Sequence, residues 1–230
     1  MGNDLVVAID GPSGSGKSTL AKQVAKDLNI VYVNTGSMFR ALAYGAFRKQ
    51  VVFDQADEID YFLSEVHFEY APTSEVLVRV NGEDLTEKVR ESEVSRLASE
   101  FSQIPAVRKY LLDFQRKLVT KQVCVMEGRD IGTVVFPNAF CKFFVTASPE
   151  IRARRRYDEF MEKGLTSQSY EEVLEDLKKR DKQDSERAVS PLRQADDADF
   201  IDTSDMNLDQ AVELVTGKIK VIAKEKGISL

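Results

Sequence analysis

Residues 11–19, Gly-Pro-Ser-Gly-Ser-Gly-Lys-Ser-Thr, set a lysine and two hydroxyls directly behind three glycines. Gly11 to Ser18 fits G-x-x-x-x-G-K-[ST], a spacing whose chemistry is the holding of phosphate. Gly11, Gly14 and Gly16 free the backbone to turn its N–H groups inward, and Pro12, Ser13 and Ser15 fill the remaining places of that nest. A helix opening near Lys17 adds the positive end of its dipole. Lys17 can reach the β/γ-phosphates of a bound nucleotide, and the Ser18 hydroxyl is placed to ligate Mg²⁺. Thr19 closes the motif one residue later.

Arginines are the other residues whose placement suits anion chemistry. Arg40 lies in the first turn of a helix just past a strand's carboxyl end, where open α/β sheets bind ligands. It is either a phosphate clamp or a solvated helix arginine. Arg152, Arg154, Arg155 and Arg156 cluster after another strand end, either as a solvated face or with some facing phosphate. Further on, Val173, Leu177, Arg180, Asp184 and Arg187 follow one helical stripe that begins apolar and turns wholly charged. That stripe either enters a polar site or pairs with itself on the surface, where such pairs contribute little.

The elements that must position these groups read as alternating strands and helices. Leu5–Ile9, Ile30–Asn34, Val123–Met126, Lys142–Ala147 and Ala198–Asp202 are the five expected strands, short and apolar. Helices follow each, which predicts a parallel sheet covered on both faces. Ser148-Pro149 and the Ser169/Glu172 capping box open two of these helices. The last helix presents Leu208, Val212, Val215, Ile219 and Ile222 as a packing stripe. Between the second and third strands the period changes. Val66, Phe68 and Tyr70 alternate, as do Val76, Val78 and Val80, and Asn81-Gly82 supplies a hairpin turn. Ser92 is the expected cap of the next helix and Pro105 starts another. A small antiparallel unit thus interrupts the β/α chain.

Composition excludes several classes. With 230 residues and 43% hydrophobic content the chain can bury a full core, and no apolar run approaches membrane-spanning length or a signal peptide. Lys plus Arg number 32 against 38 Asp plus Glu, a net charge of −6, so an extended nucleic-acid surface is not expected. Cys124 and Cys141 sit in apolar runs and read as core thiols of a reducing compartment. One histidine and two scattered cysteines give no zinc-site spacing. Asp196, Asp197 and Asp199 read as solvated.

Taken together, GPSGSGKST, NTGSMFR (34–40), EGRDIGTVVFP (127–137) and RDKQDSERAVSPL (180–192) make the chain resemble the bacterial cytidylate kinases, within the nucleoside monophosphate kinases. The resemblance covers essentially the whole length. It implies a single P-loop NTPase domain: an α/β core with a five-stranded parallel sheet, an antiparallel β-containing insertion at about 37–105 and a helical lid at about 152–187. It implies transfer of the γ-phosphoryl group of Mg-ATP to CMP or dCMP in the cytoplasm, by a monomer. Carried over by matching position, Thr35, Arg40, Ser99, Arg108, Arg129, Asp130, Arg180, Asp184 and Arg187 would surround CMP, with Lys17, Arg129 and Arg180 catalytic. Gly11, Pro12, Ser13, Gly14, Ser15, Gly16, Lys17, Ser18 and Thr19 would hold ATP, and Ser18 would hold Mg²⁺ with Glu127 behind a water. Two departures are visible: Asn34-Thr35 where relatives often have Asp-Ser, and Glu127 where Asp is common. A same-fold kinase of UMP, AMP or a small metabolite, a P-loop switch and a non-catalytic CMP sensor are the rival readings. The intact loop weighs against the sensor, and the lack of an N-K-x-D motif against a GTPase.

Overall fold

The computed structural model describes residues 4–73, 77–119, 122–163 and 168–230. In chain order the elements are β1 (Asp4–Asp10), α1 (Lys17–Leu28), β2 (Val31–Asn34), α2 (Thr35–Arg48), α3 (Ala56–Glu65), β3 (Phe68–Tyr70), β4 (Val78–Val80) and β5 (Glu83–Asp84). A 3-10 turn at Lys88–Arg90 leads to α4 (Ser92–Phe101) and α5 (Pro105–Leu118). Then come β6 (Cys124–Gly128), a π-helical turn at Ile131–Val135, β7 (Ala139–Thr146), α6 (Pro149–Lys163), α7 (Tyr170–Glu186), β8 (Asp199–Asp202) and α8 (Leu208–Glu225). The chain divides into two compact units, one from 1–33 with 119–230, the other Asn34–Leu118. Val76, expected in a strand, and 164–167, in the expected lid, lie outside the described residues.

The larger unit is built on a five-stranded sheet of order β2-β6-β1-β7-β8. β1 pairs parallel with both β6 and β7, and β7 with β8. Val7 and Ile9 of β1 join a core cluster with Leu20, Val24 and Leu28 of α1 and Val215 and Ile219 of α8. Val6 and Ala8, which alternate to the opposite face, are equally buried. A strand buried on both sides explains its unbroken apolar run. Leu208 departs from the expected packing stripe of α8. It is 42% exposed, because it occupies the first turn, before the helix reaches the sheet cluster.

The smaller unit holds the three-stranded sheet β3-β4-β5, antiparallel throughout. Asn81 and Gly82 turn β4 into β5 with φ of 51° and 82°, the left-handed pair that the hairpin requires. Aromatic pairs Phe53–Phe101 and Phe68–Phe114, with ring centroids 4.8 and 4.9 Å apart, pack its helices and sheet.

Three local expectations are corrected. Ser92 is the first residue of α4, not its cap; Glu91 holds that position without a side-chain capping bond, its carboxylate pairing with Lys88 at 2.8 Å instead. β7 begins at Ala139, three positions ahead of the expected start, because its apolar run continues backward through Phe140 and Cys141. Asp197 and Asp199 are not merely solvated, since they pair with Lys142 and Lys218 at 2.8 and 2.9 Å.

Candidate active site

β1 delivers the chain to the phosphate loop at the carboxyl edge of the sheet. Gly11 (φ +153°) leaves no room for a side chain: a Cβ there would lie 2.0 Å from the Val145 carbonyl oxygen. Gly14 (φ +74°) is similarly confined, with Arg152 backbone 2.9 Å from a would-be Cβ. Gly16 caps α1, and Lys17, Ser18 and Thr19 fall in its first turn. Lys17 is buried there, whereas Ser18 and Thr19 are exposed. The helix thus turns its ammonium inward and keeps both hydroxyl-bearing residues at the surface. Among the described residues the buried Ser15 hydroxyl of this loop has no hydrogen-bond partner, as suits a loop shaped around an anion. The Lys17 ammonium donates to the Pro12 carbonyl at 3.0 Å. Burial pulls its pKa down to about 7, the Arg129 charge adds to the depression, and Glu127 opposes it.

Ser18 donates its hydroxyl proton to Glu127 Oε2 at 2.8 Å, and Tyr32 donates to Glu127 Oε1 at 2.6 Å. The serine's proton is thereby committed to the carboxylate, and its lone pairs stay available to a cation. Hard oxygen donors of this kind suit Mg²⁺, which keeps several waters and takes few protein ligands. Among the described residues no group of three or more His, Cys, Asp or Glu could hold a metal by itself. Sequence reasoning misses Tyr32; the signal in the chain is a phenol between the two valines of β2.

The charged stripe of α7 enters a buried ionic cluster. Arg129 Nε donates to Asp184 Oδ2 at 2.9 Å, and Arg187 Nη1 lies 3.5 Å from Asp184 Oδ1. Arg187 Nη2 lies 3.8 Å from Asp130 Oδ1. Burial pushes the Asp184 carboxyl up, but the charges of Arg129, Arg180 and Arg187 outweigh it, and the carboxyl falls below its ordinary value. The stripe therefore pairs with itself, but buried rather than on the surface, and with residues from the β6 end. Asp130 and Arg129 stand between β6 and the π-helical turn.

Of the α6 arginines, Arg152 is a structural staple. It is buried and donates to the Ala147 and Ser13 carbonyls and to Asp181 at 2.7 Å, tying the phosphate loop to α7. Arg155 donates to Thr203, Arg156 lies over the Phe160 ring, and Arg154 is exposed.

In the smaller unit, Asn34 caps α2 by accepting from Ser37 N–H at 3.0 Å, so the amide supplies the cap that an aspartate would. Thr35 is buried at the first position of that helix, and Arg40 donates to the Ser37 hydroxyl at 3.1 Å. Ser99 is buried on α4, and its carbonyl accepts from Ser102 at 3.0 Å. Arg108 is buried on α5, donates to the Ser102 carbonyl at 3.2 Å and lies over the Phe39 ring at 5.3 Å.

A parallel sheet whose central strand runs into this glycine loop, with lysine and serine opening the next helix, defines a P-loop nucleotide-binding protein. Comparison with known proteins narrows the class. The Cytidylate kinase family model matches residues 7–221. A cytidylate kinase of Clostridium tetani is 44% identical over 97% of this chain and 97% of its own. One of Caldanaerobacter subterraneus subsp. tengcongensis is 45% identical over 93% of this chain and 94% of its own. The chain belongs to the cytidylate kinase family. Among solved structures, an uncharacterized protein from Eubacterium ventriosum shares the fold, with a TM-score of 0.51 and 17% identity over 95% of this chain and 99% of that one.

Proposed function

We propose that the chain transfers the γ-phosphoryl group of ATP to CMP or dCMP, giving ADP and the diphosphate. The observation that carries this reading is the intact loop with Lys17 and the Ser18–Glu127 pair, in a chain matched almost end to end by cytidylate kinases. The acceptor is itself a phosphate with a second pKa near 6, so it is mostly ionised at neutral pH and needs no general base. The obstacle is electrostatic, because two polyanions must approach in line.

Residues 11–19 cradle the ATP phosphates, and Lys17 neutralises charge on the β/γ side. Its pKa of about 7 rises once the phosphates arrive. Thr19, exposed in the first turn of α1, adds a backbone N–H at the positive end of the helix and a hydroxyl for a phosphate oxygen. Ser18, oriented by Glu127, would hold Mg²⁺, with Glu127 behind a water, and the ion would supply charge neutralisation for the phosphates. Arg129 and Arg180 stabilise the charge of the phosphoryl group in transit. Thr35, Arg40, Ser99, Arg108, Asp130, Asp184 and Arg187 bind the acceptor nucleotide. The stretch 37–105 serves as monophosphate-binding insertion and 152–187 as lid, within one domain that acts as a cytoplasmic monomer. Among the described residues no helix is long and apolar enough to cross a membrane.

The test is a coupled ADP-release assay over CMP, dCMP, UMP, AMP and no acceptor. Turnover strongly favouring the two cytidine nucleotides is expected. Equal ADP release without acceptor would instead make the chain a nucleotide-driven switch, and preference for another acceptor would reassign its substrate.

A further inference from the structure

Asp10 closes β1, directly ahead of Gly11, and is buried. Its carboxylate is occupied by backbone donors of another segment. Oδ1 accepts from the Ile131 N–H at 2.8 Å and Oδ2 from the Gly132 N–H at 2.7 Å. Ile131 and Gly132 open the π-helical turn, and the first N–H groups of any helical turn lack partners within it. Asp10 therefore caps that turn from the neighbouring strand. The rest of the turn closes on Asp130, whose carbonyl accepts from Val134 and Val135 at 2.9 and 3.1 Å.

Packing holds the turn against this cap. The Lys142 stem lies beside Gly132, where a Cβ would meet Lys142 Cδ at 3.1 Å and Asp10 Oδ2 at 3.5 Å. Among the described residues Asp10 has no ion-pair partner within 4 Å. A buried carboxylate held by backbone donors and no ion pair is costly relative to an apolar residue. Burial pushes its pKa up to about 7, the two backbone bonds oppose this, and the charges facing it are Asp130, which adds to the rise, and Lys17, which counters it. A group retained at such cost points to a task other than stability. The turn that it caps begins immediately after Arg129 and Asp130.

We propose that Asp10 is a positioning residue for the acceptor nucleotide, which fixes the backbone of the Arg129–Asp130 segment through the Ile131 and Gly132 N–H groups. One carboxylate thus ties the strand that feeds the phosphate loop to the segment carrying the acceptor-side charges. The inference rests on the reading of Arg129 and Asp130 as CMP-binding.

The experiment is Asp10→Asn in the full chain, with KM measured separately for ATP and CMP. The amide keeps the shape but offers an NH₂ where one backbone N–H needs an acceptor. KM for CMP should rise about tenfold or more while KM for ATP changes less than about threefold. Equal changes in both would overturn the proposal, because a generally loosened unit would affect both substrates. Amide hydrogen exchange on the unsubstituted protein provides a measurement that does not depend on the variant folding. The Ile131 and Gly132 amides should be protected like those of β1, and exchange at the rate of an open turn would overturn the cap. A wild-type chain that turns over ATP but not CMP would instead sink the functional reading, and the acceptor role with it, while the amide protection would still decide the cap.

Discussion

Asp184→Asn tests whether the α7 stripe is a working ionic cluster. The carboxylate accepts from Arg129 at 2.9 Å and faces Arg187 at 3.5 Å, with side-chain exposures of 8%, 18% and 4% for Asp184, Arg129 and Arg187. Removing one partner of a buried pair costs about 3–5 kcal/mol. The lower end applies here, because Arg129 keeps the Gly128 carbonyl and Arg187 keeps the Ser190 carbonyl. With a urea dependence of about 3 kcal/mol/M, a loss of about 3 kcal/mol moves the unfolding midpoint down by about 1 M. The pH dependence has a definite sign. The Asp184 carboxyl lies below its ordinary value of 3.8 in the folded chain, so its stabilisation is complete above that value and is lost as pH falls through the folded one. Urea unfolding at pH 7 and pH 5 should show the same gap between wild type and variant, and the gap should shrink below about pH 4. A midpoint change under about 0.3 M at pH 7, or a gap that widens in acid, would refute the reasoning. The same substitution should impair CMP and dCMP by different factors, because each carboxylate oxygen retains a lone pair for a sugar hydroxyl. Equal losses would leave Asp184 only a partner of the arginines.

The other substitutions separate the roles within the site. Lys17→Ala should leave a folded protein with less than about a tenth of wild-type kcat, a barrier increase above ~1.4 kcal/mol, in the coupled assay. Arg180→Ala should lower kcat while Arg40→Ala mainly raises KM for CMP; steady-state kinetics with the reverse pattern would exchange the two roles. Asp130→Asn should narrow the CMP-to-UMP ratio of kcat/KM, chiefly by losing CMP, since a carboxylate suits the cytosine amino group and repels the uracil O4, and sites built on such bonds discriminate by up to about 10⁴. A common factor of loss on CMP and UMP would assign Asp130 to its ion pair with Arg187, at 3.8 Å, and nothing more.

What could be read from the chain alone was local in origin. The loop at 11–19 is legible because its chemistry requires residues at fixed spacing along one turn. The Ser169/Glu172 capping box and the Asn81-Gly82 turn are legible for the same reason, with both partners within three residues. Ser92 shows where this fails: a capping residue type beside a helix start says nothing about which neighbouring backbone leaves the helix first. The partners that shape the site are distant. Tyr32 and Glu127 are 95 residues apart, Asp10 and Ile131 121, and Arg152 and Ser13 139.

Those distant pairings follow from strand order, which hydrophobic periodicity does not contain. Alternating β and α segments predict parallel strands, yet leave open which strand lies beside which. In the order β2-β6-β1, β6 is inserted between the first two strands of the chain. That insertion carries Glu127 between Tyr32 on one side and the helix bearing Ser18 on the other. It also aligns Gly128 with Asp10, so the turn leaving β6 starts within reach of the carboxylate that ends β1. Had β2 lain next to β1, the same residues would form the same strands and the same loop. Glu127 would then have neither hydroxyl, and Asp10 no turn to cap. The phosphate loop is therefore a property of local sequence, whereas its connection to the Arg129–Asp130 segment is a property of topology.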